Sequence, residues 1–383
     1  MSVSPIWRTP FLEDRHRALA DRLLAWDIPE VDHDPEDFDP PVRLMLRAMA
    51  AEGLLDLIIP APGQSPMSVD LRAICLVREV LAYRSGGLAD TSFVMQGIGT
   101  AAIWLSGSEA TAGTYLARAR RGETIAAFAL TEPETGSDVA NITTSATRDG
   151  DDYILNGAKT FISNAGIADH YLIVARTGEA PGARGLSAFL VDADTPGLAT
   201  EKQRYIAAHA GGSLALHDVR VPASRLIGTP GGGFKLAMAT FDIFRASVGA
   251  AAIGFGRRAL DEALDRTRHR QLFGKRMADM DGVQTKLAEM ATEIEAAGLL
   301  VYRAAWAKDS TGQRCTREVS MAKLIATESA QNVIDAAVQL FGGAGVTHGS
   351  VVERLYREVR PMRIYEGASE VQKLVIAREM LKD

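Results

Sequence analysis

Four short stretches of this sequence carry residue types and spacings that could do chemistry. Ala129-Leu-Thr-Glu-Pro-Glu-Thr-Gly-Ser-Asp138 packs Thr131, Pro133, Thr135, Gly136 and Ser137 into a loop behind a short apolar run. Hydroxyls and backbone amides at that density suit an electron-rich planar ligand or a phosphate, and they suit an ordinary capped loop as well. In Asn156-Gly-Ala-Lys-Thr-Phe-Ile-Ser163, strand alternation puts Phe161 and Ser163 on one face. An aromatic ring beside a hydroxyl could cover and hydrogen-bond a flat cofactor; an amphipathic strand facing the core would look the same. Arg266-Thr-Arg-His-Arg-Gln-Leu-Phe-Gly-Lys-Arg276 gathers five arginines or lysines. They could hold a diphosphate, or simply complement the dipole of a solvated helix end. Glu366 lies in Arg363-Ile-Tyr-Glu-Gly-Ala-Ser-Glu370, before a glycine that opens a new helix. By itself a lone glutamate reads as surface charge or a helix cap; as a chemical group it is a proton acceptor.

The elements that would have to position these groups follow from periodicity. Residues 1 to about 125 read mainly as helix, with Leu19, Leu23 and Leu24 on one face, a solvated acidic loop from Ile28 to Pro41, and renewed helical spacing from Val42. That spacing breaks at Pro60-Ala-Pro-Gly and resumes from Leu71 to Tyr83. From Thr124 the texture changes to short β-like runs: Thr124–Leu130, a hairpin turning at Asn156-Gly157, Tyr171–Ala175, Leu186–Val191 and Ser213–Leu216. Strands without intervening helices predict a small antiparallel barrel or sandwich. From about Gly233 the 3.6 period returns. Leu287, Met290, Ile294, Ala297, Val301 and Ala304 form one apolar stripe, and Val319, Ala322, Ala326, Ala330, Val333, Ala337 and Leu340 another that stops at Gly342-Gly343. Small residues along both seams predict a close-packed bundle. The expected domains are 1–123 helical, 124–232 β and 233–383 a helical bundle.

Bulk properties narrow the class. The chain has 383 residues, 47% hydrophobic and 23% charged, which supports a large core and excludes a mostly disordered chain. A net charge of −6 argues against a nucleic-acid partner. Cys75 and Cys315 cannot form a disulfide framework and have no metal-ligand spacing, so no metal and a cytoplasmic setting are expected. The opening MSVSPIWRTPFLEDRHR lacks the apolar core of a signal peptide, and no run is expected to reach the ~18–20 apolar residues of a membrane span. A soluble protein is expected.

Taken together, six motifs in order carry a resemblance: ALTEPETGSDVA, NGAKTFISNAG, FDIFR before a long helix, RQLFGK, QLFGGAGV and RIYEGASEVQ. The chain from about Ala73 to Leu381 resembles the acyl-CoA dehydrogenase family of flavoproteins. The resemblance implies an α+β multidomain fold: an N-terminal helical domain, a middle antiparallel β-barrel and a C-terminal four-helix bundle. It also implies FAD, an acyl-CoA substrate, an electron-transferring flavoprotein as acceptor, and a homotetramer built as a dimer of dimers. By the family pattern the flavin ring lies against Phe128, Leu130 and Thr131, with Phe161 and Ser163 on its other side. Arg270 and Phe273 match positions that meet the ADP half of FAD from a neighbouring subunit, and Gln339, Gly342 and Gly343 match the glycine-rich contact there. Ala368 and Glu370 complete the cofactor set, and Ser137 joins both sets. Ser137, Asp242, Arg245, Glu366 and Gly367 match the thioester channel.

Glu366 matches the catalytic base of the commonest branch. The rival position, one residue before the arginine of FDIFR, is Phe244, which cannot take a proton. Departures from the pattern are Ala368 for threonine, Asp281 for glutamine, Ala246 after the arginine, and Glu134 and Thr135 in the flavin loop. Arg84 lies in the helix that closes the acyl pocket of relatives, though a surface role suits it better than a contact with a dicarboxylate. The expected reaction is α,β-dehydrogenation to a trans-2-enoyl-CoA. An oxidase passing electrons to oxygen, or a non-catalytic acyl-CoA-binding scaffold, are the alternatives.

Overall fold

A computed structural model describes residues 4–61, 63–64, 69–107 and 109–382. The expected breaks therefore keep their flanks, while Pro62 and the first three residues lie outside the described set. The chain falls into two compact units: Met1–Asp27, Asp70–Asp90 and Phe244–Asp383, and Ile28–Val69 with Thr91–Ile243.

The second unit is built on one sheet. Its strands are β1 (Ala126–Ala129), β2 (Ser145–Asp149), β3 (Asp152–Ser163), β4 (His170–Arg176), β5 (Leu186–Asp192), β6 (Leu198–Lys202), β7 (Gly211–Pro222) and β8 (Leu226–Ile227). They run in the order β6-β7-β3-β2-β4-β5-β8, and β1 pairs with β4. Strands β1 and β4 are buried along almost their whole length because they pair in parallel inside the unit. The expected β-domain is present, with two differences. Among the described strands β6 and β8 end the sheet without meeting, so it stays open rather than closing into a barrel. The β1–β4 and β2–β4 pairings are parallel, so the sheet is mixed.

Asn156-Gly157 is not the hairpin turn. The β2–β3 turn is Gly150-Asp151, closed by the Asp149–Asp152 pair, with Gly150 at φ 62°. Asn156 and Gly157 lie inside β3 at a register shift against β7, where Asn156 exchanges hydrogen bonds with Asp218. A Cβ at residue 157 would come within 2.6 Å of Thr144 Oγ1, so glycine here serves close approach inside the sheet. The sequence reading missed β2 and β6, whose polar, mostly exposed residues give no strong β signal. In the same unit α2 (Asp39–Ala51) begins before the expected end of the acidic loop, its proline fitting the first turn.

The first unit holds α1 (Asp14–Ala25), α3 (Leu71–Arg84), α7 (Asp281–Thr311), α8 (Thr316–Phe341), α9 (Val351–Val359) and α10 (Ser369–Met380). Two further helices pass through both stretches of chain, α4 (Gly87–Ser106) and α6 (Gly233–His269); α5 is Glu109–Arg120. The two expected stripes are buried, from Met290 to Ala304 on α7 and from Val319 to Ala337 on α8. Gly342 ends α8 at φ 62°, as a helix stop requires. Glu79 on α3 is buried and satisfied by Trp7 Nε1 at 3.1 Å, Tyr302 Oη and Arg257. Arg84 is half-buried, and its Nη1 donates to the carbonyls of Leu23 (2.7 Å) and Trp26 (2.8 Å), closing the C-terminus of α1. Against expectation, α6 is long and apolar enough to cross a membrane by length and composition; 67% of that window is buried inside the protein. Among the described residues no group of three or more His, Cys, Asp or Glu could hold a metal ion.

Helix α6 approaches α3 at Gly254, where an added Cβ would lie 2.3 Å from the Glu79 carbonyl oxygen. Gly254→Ala is expected to lower stability by about 1–3 kcal/mol, because backbone must part to admit the methyl. Gly113→Ala, with open space around it on α5, should instead raise it by about 0.5–1 kcal/mol. Urea unfolding of the two variants checks both signs.

Candidate active site

Glu366 stands between the 3₁₀ turn Arg360–Arg363 and α10, and its backbone is left-handed at φ 52°. A non-glycine residue there carries strain of order 1–3 kcal/mol and persists only where its surroundings fix it. Those surroundings are side chains of α8 and α10. Lys323 Nζ donates to the Gly367 carbonyl at 2.9 Å, and Gln372 Nε2 donates to the carbonyls of Glu366 (3.1 Å) and Gly367 (2.9 Å). Glu328 on α8 accepts from Arg363 on one flank and Ser369 on the other. Gly367, at φ 93°, has no room for a side chain: a Cβ would meet Gln372 Nε2 at 2.4 Å.

One carboxylate oxygen of Glu366 is buried without a hydrogen-bond partner. A buried acceptor left unanswered costs free energy and marks a place where something else is to be bound or protonated. Burial raises the carboxyl above its ordinary value of 4.5, and the cations Arg78, Arg245 and Lys323 oppose that rise. Arg78 is fully buried on α3, gripping Asp90 through Nε and Nη2, both at 2.7 Å, and Ser247 Oγ at 3.0 Å. Sequence reasoning passed over Arg78 and Lys323, although a charged residue inside an otherwise apolar helical stripe is a readable signal. Phe244 is fully buried, consistent with a packing role.

The flavin-loop candidates lie in the sheet unit. Phe128 and Leu130 are buried on and just after β1, and Phe128 meets Phe241 edge-on at 5.6 Å. Thr131 is half-buried and its carbonyl accepts from Thr160 N at 3.0 Å, tying the loop to β3. Beneath it runs a buried ion pair. Lys159 Nζ reaches Glu132 at 2.8 Å and the Leu130 carbonyl at 2.9 Å, while Glu132 also takes the amides of Thr143 (2.6 Å) and Thr144 (2.9 Å). Burial works against the Glu132 charge, but Lys159 and these donors outweigh it and hold the carboxyl down at about 2; burial pushes Lys159 down to about 8. Both partners are thus charged at neutral pH.

Phe161 sits in β3 at φ 55° with 66% of its surface exposed, its ring tilted against Tyr205 at 6.5 Å. Ser163 is engaged by His209, Oγ to Nε2 at 2.7 Å, a partner the sequence did not reveal; burial pushes that histidine down to about 4, so it is neutral. Ser137 is exposed and Asp242 half-buried on α6, while Arg245, one turn further, is buried.

Arg270 and Phe273 lie at a hairpin of two-residue strands, β9 (Gln271–Leu272) and β10 (Lys275–Arg276). Phe273 and Gly274 both take positive φ, and the Phe273 ring is 95% exposed at the tip. The basic stretch and the glycine-rich motif are brought together: Arg266 donates to the Phe341 carbonyl at 3.4 Å and stacks on the Phe341 ring, beside the exposed Gly342 and Gly343. Gln339 is exposed on α8; Ala368 caps α10, and Glu370 lies exposed in its first turn. The structure thus groups Arg245, Glu366, Gly367, Ala368 and Glu370 in one unit and Phe128, Leu130, Thr131, Phe161 and Ser163 in the other. Within the sheet unit FAD fits on two observations: Phe161 held exposed in left-handed backbone, and a buried hydroxyl without a partner in the loop after β1, Thr135 Oγ1.

A fold of helices, a middle sheet and a helical bundle, carrying a buried carboxylate and a loop rich in hydroxyls, is the arrangement of a class of flavoprotein oxidoreductases. Residues 11–123, 127–219 and 231–381 match the N-terminal, middle and C-terminal domains of acyl-CoA dehydrogenase. The chain belongs to the acyl-CoA dehydrogenase family and is an FAD-dependent oxidoreductase. It is 38% identical to a cyclohexane-1-carbonyl-CoA dehydrogenase of Geobacter metallireducens over 86% of this chain and 87% of that one. It is 41% identical to a subunit of the caffeyl-CoA reductase–Etf complex of Acetobacterium woodii over 73% and 74%. The solved structure of butyryl-CoA dehydrogenase from Megasphaera elsdenii superposes with a TM-score of 0.86 at 32% identity, covering 100% of both chains.

Lys159→Met should destabilise the protein by about 3–5 kcal/mol, the cost of leaving Glu132 buried without its cation. Adding Glu132→Gln should recover part of that loss. Urea midpoints of the single and double variants test it.

Proposed function

We propose that this protein oxidises an acyl-CoA thioester to its trans-2-enoyl-CoA, with Glu366 taking the α-proton and an electron-transferring flavoprotein taking the electrons. The observation that carries the reading is the Glu366 carboxylate itself: strained backbone, one buried oxygen without a partner, and burial raising its proton affinity. An α-hydrogen of a thioester is weakly acidic, so removing it needs a positioned base whose affinity for protons has been raised toward the working pH. Desolvation supplies that rise, and Arg78, Arg245 and Lys323 oppose it. Bound FAD supplies the two-electron acceptor for the β-hydrogen. Phe128, Leu130, Thr131, Phe161 and Ser163 would hold its ring, and Arg270, Phe273, Gln339, Gly342 and Gly343 its ADP half, with Ala368 and Glu370 nearby. Ser137, Asp242 and Arg245 would line the thioester channel, with Gly367 giving the base segment its turn.

The exposed Phe273 tip supports assembly with further copies, and we propose a homotetramer built as a dimer of dimers. For the division of labour we propose a helical part to residue 123, a β part at 124–232 and a bundle from 233. The Etf complex named for the Acetobacterium relative supports the choice of acceptor.

That relative also favours a second reading, in which the physiological direction is reduction of an enoyl-CoA and Glu366 returns the α-proton as an acid. Initial rates in both directions with matched saturated and unsaturated thioesters separate the two. Glu366→Gln should remain yellow and FAD-loaded while turnover falls at least ~10²-fold, the low end for a general base. Activity near wild type in that variant contradicts the assignment. In the wild type the rate should fall as pH drops through a carboxyl value above 4.5, because the base is lost on protonation.

A further inference from the structure

The base of Glu366 sits in a field of charge that the proposed reaction does not by itself explain. Of the three cations that oppose the rise of its carboxyl, Lys323 is the one on α8, and it bonds the peptide next to the base. Its side chain is fully buried in α8, and its ammonium donates to the Gly367 carbonyl at 2.9 Å, one residue past the base. A buried lysine with a single carbonyl for a partner is costly to keep charged, and burial accordingly pulls it down to about 8, still protonated at neutral pH. Structural tethering alone does not require that cost: Gln372, neutral, holds the same carbonyl at 2.9 Å.

We propose that Lys323 is a positioning residue for the reaction: its hydrogen bond to the Gly367 carbonyl fixes the turn that presents Glu366, and its buried ammonium next to that turn favours the ionised carboxylate. The inference rests on the reading of Glu366 as the base. Groups bearing on this pair come from every element around it. They are Arg78 on α3, Asp90 on α4, Arg245 on α6, Glu328 on α8 and Glu370 on α10, together with Tyr365 beside the base. Arg78 grips Asp90 at two points and also opposes the rise of the Glu366 carboxyl. Glu328 is engaged by Arg363 and Ser369. The Lys323 charge is delivered at the peptide that follows the base.

The sign follows from electrostatics. A cation beside a carboxylate favours its ionised form, so removing the cation raises the pH at which the base ionises. With Lys323→Met, of similar length and without charge, the acid limb of the kcat profile should move up by about one pH unit, within the ~1–3 units typical of a close opposite charge. At a fixed pH below the limb, kcat should fall about tenfold while KM changes little. Lys323→Arg should restore the limb to its wild-type position. Flavin bleaching in anaerobic single turnovers, followed from pH 5 to 9, reads the limb directly and is independent of the electron acceptor.

An unmoved limb in Lys323→Met overturns the proposal, whatever happens to kcat, because a merely structural lysine changes the amount of active protein and leaves the profile in place. Should Lys323→Met fail to accumulate as yellow protein, Lys323→Gln carries the same expectation, since it keeps a donor for Gly367 and drops the charge. Glu366→Gln, run alongside, separates the two levels. If that variant bleaches flavin normally, the base assignment fails; if it does not bleach, and the Lys323→Met limb is unmoved, the inference about Lys323 alone fails.

Discussion

The free-energy cost of holding Glu366 in place is the constraint on which the bundle unit's local structure depends. A glutamate in left-handed backbone with a buried, unanswered oxygen is unstable on every local count. It persists because α8 and α10 surround it with fixed donors and acceptors. Lys323 and Gln372 hold the carbonyls of the turn, and Glu328 clamps both flanks through Arg363 and Ser369. Strain of this kind, paid for by a rigid helix pair, gives a side chain whose position and proton affinity are set before substrate arrives.

The sheet unit solves a parallel problem with the same device. Its loop after β1 leaves Thr135 Oγ1 unpartnered beside a strand, β3, with Phe161 exposed, and the loop's rigidity comes from the buried Lys159–Glu132 pair underneath. That pair grips the loop through the Leu130 carbonyl on one side and the amides of Thr143 and Thr144 on the other. In both units, therefore, a buried charge bonded to backbone carbonyls or amides fixes a segment that no regular secondary structure could fix.

Much of this was legible in the sequence. The stripes of α7 and α8, the stop at Gly342, and strands β1, β4 and β5 follow from periodicity and from glycine's backbone freedom. The segments that carry the site were visible as unusual runs, and their joint order carried the family. What failed, failed for physical reasons. Asn156-Gly157 was read as a turn because the dipeptide favours positive φ, yet glycine is needed there for room against Thr144, a long-range contact that local rules do not see. Strands β2 and β6 are polar on both faces, so alternation was silent. Arg78, Lys323 and His209 act through tertiary partners distant in sequence, at Asp90 and Ser247, Gly367, and Ser163, and no local pattern could assign those partners.

The central claim is that Glu366 removes an α-proton, and a thioester that cannot complete the reaction tests it most directly. A 3-thia-acyl-CoA has sulfur in place of the β-carbon and so no β-hydrogen to give. Mixed with the FAD-loaded protein in deuterium oxide, it should exchange its α-hydrogens for deuterium, as followed by proton NMR, and that exchange should be lost in Glu366→Gln. Absence of exchange in the wild type, or equal exchange in both proteins, would contradict the account.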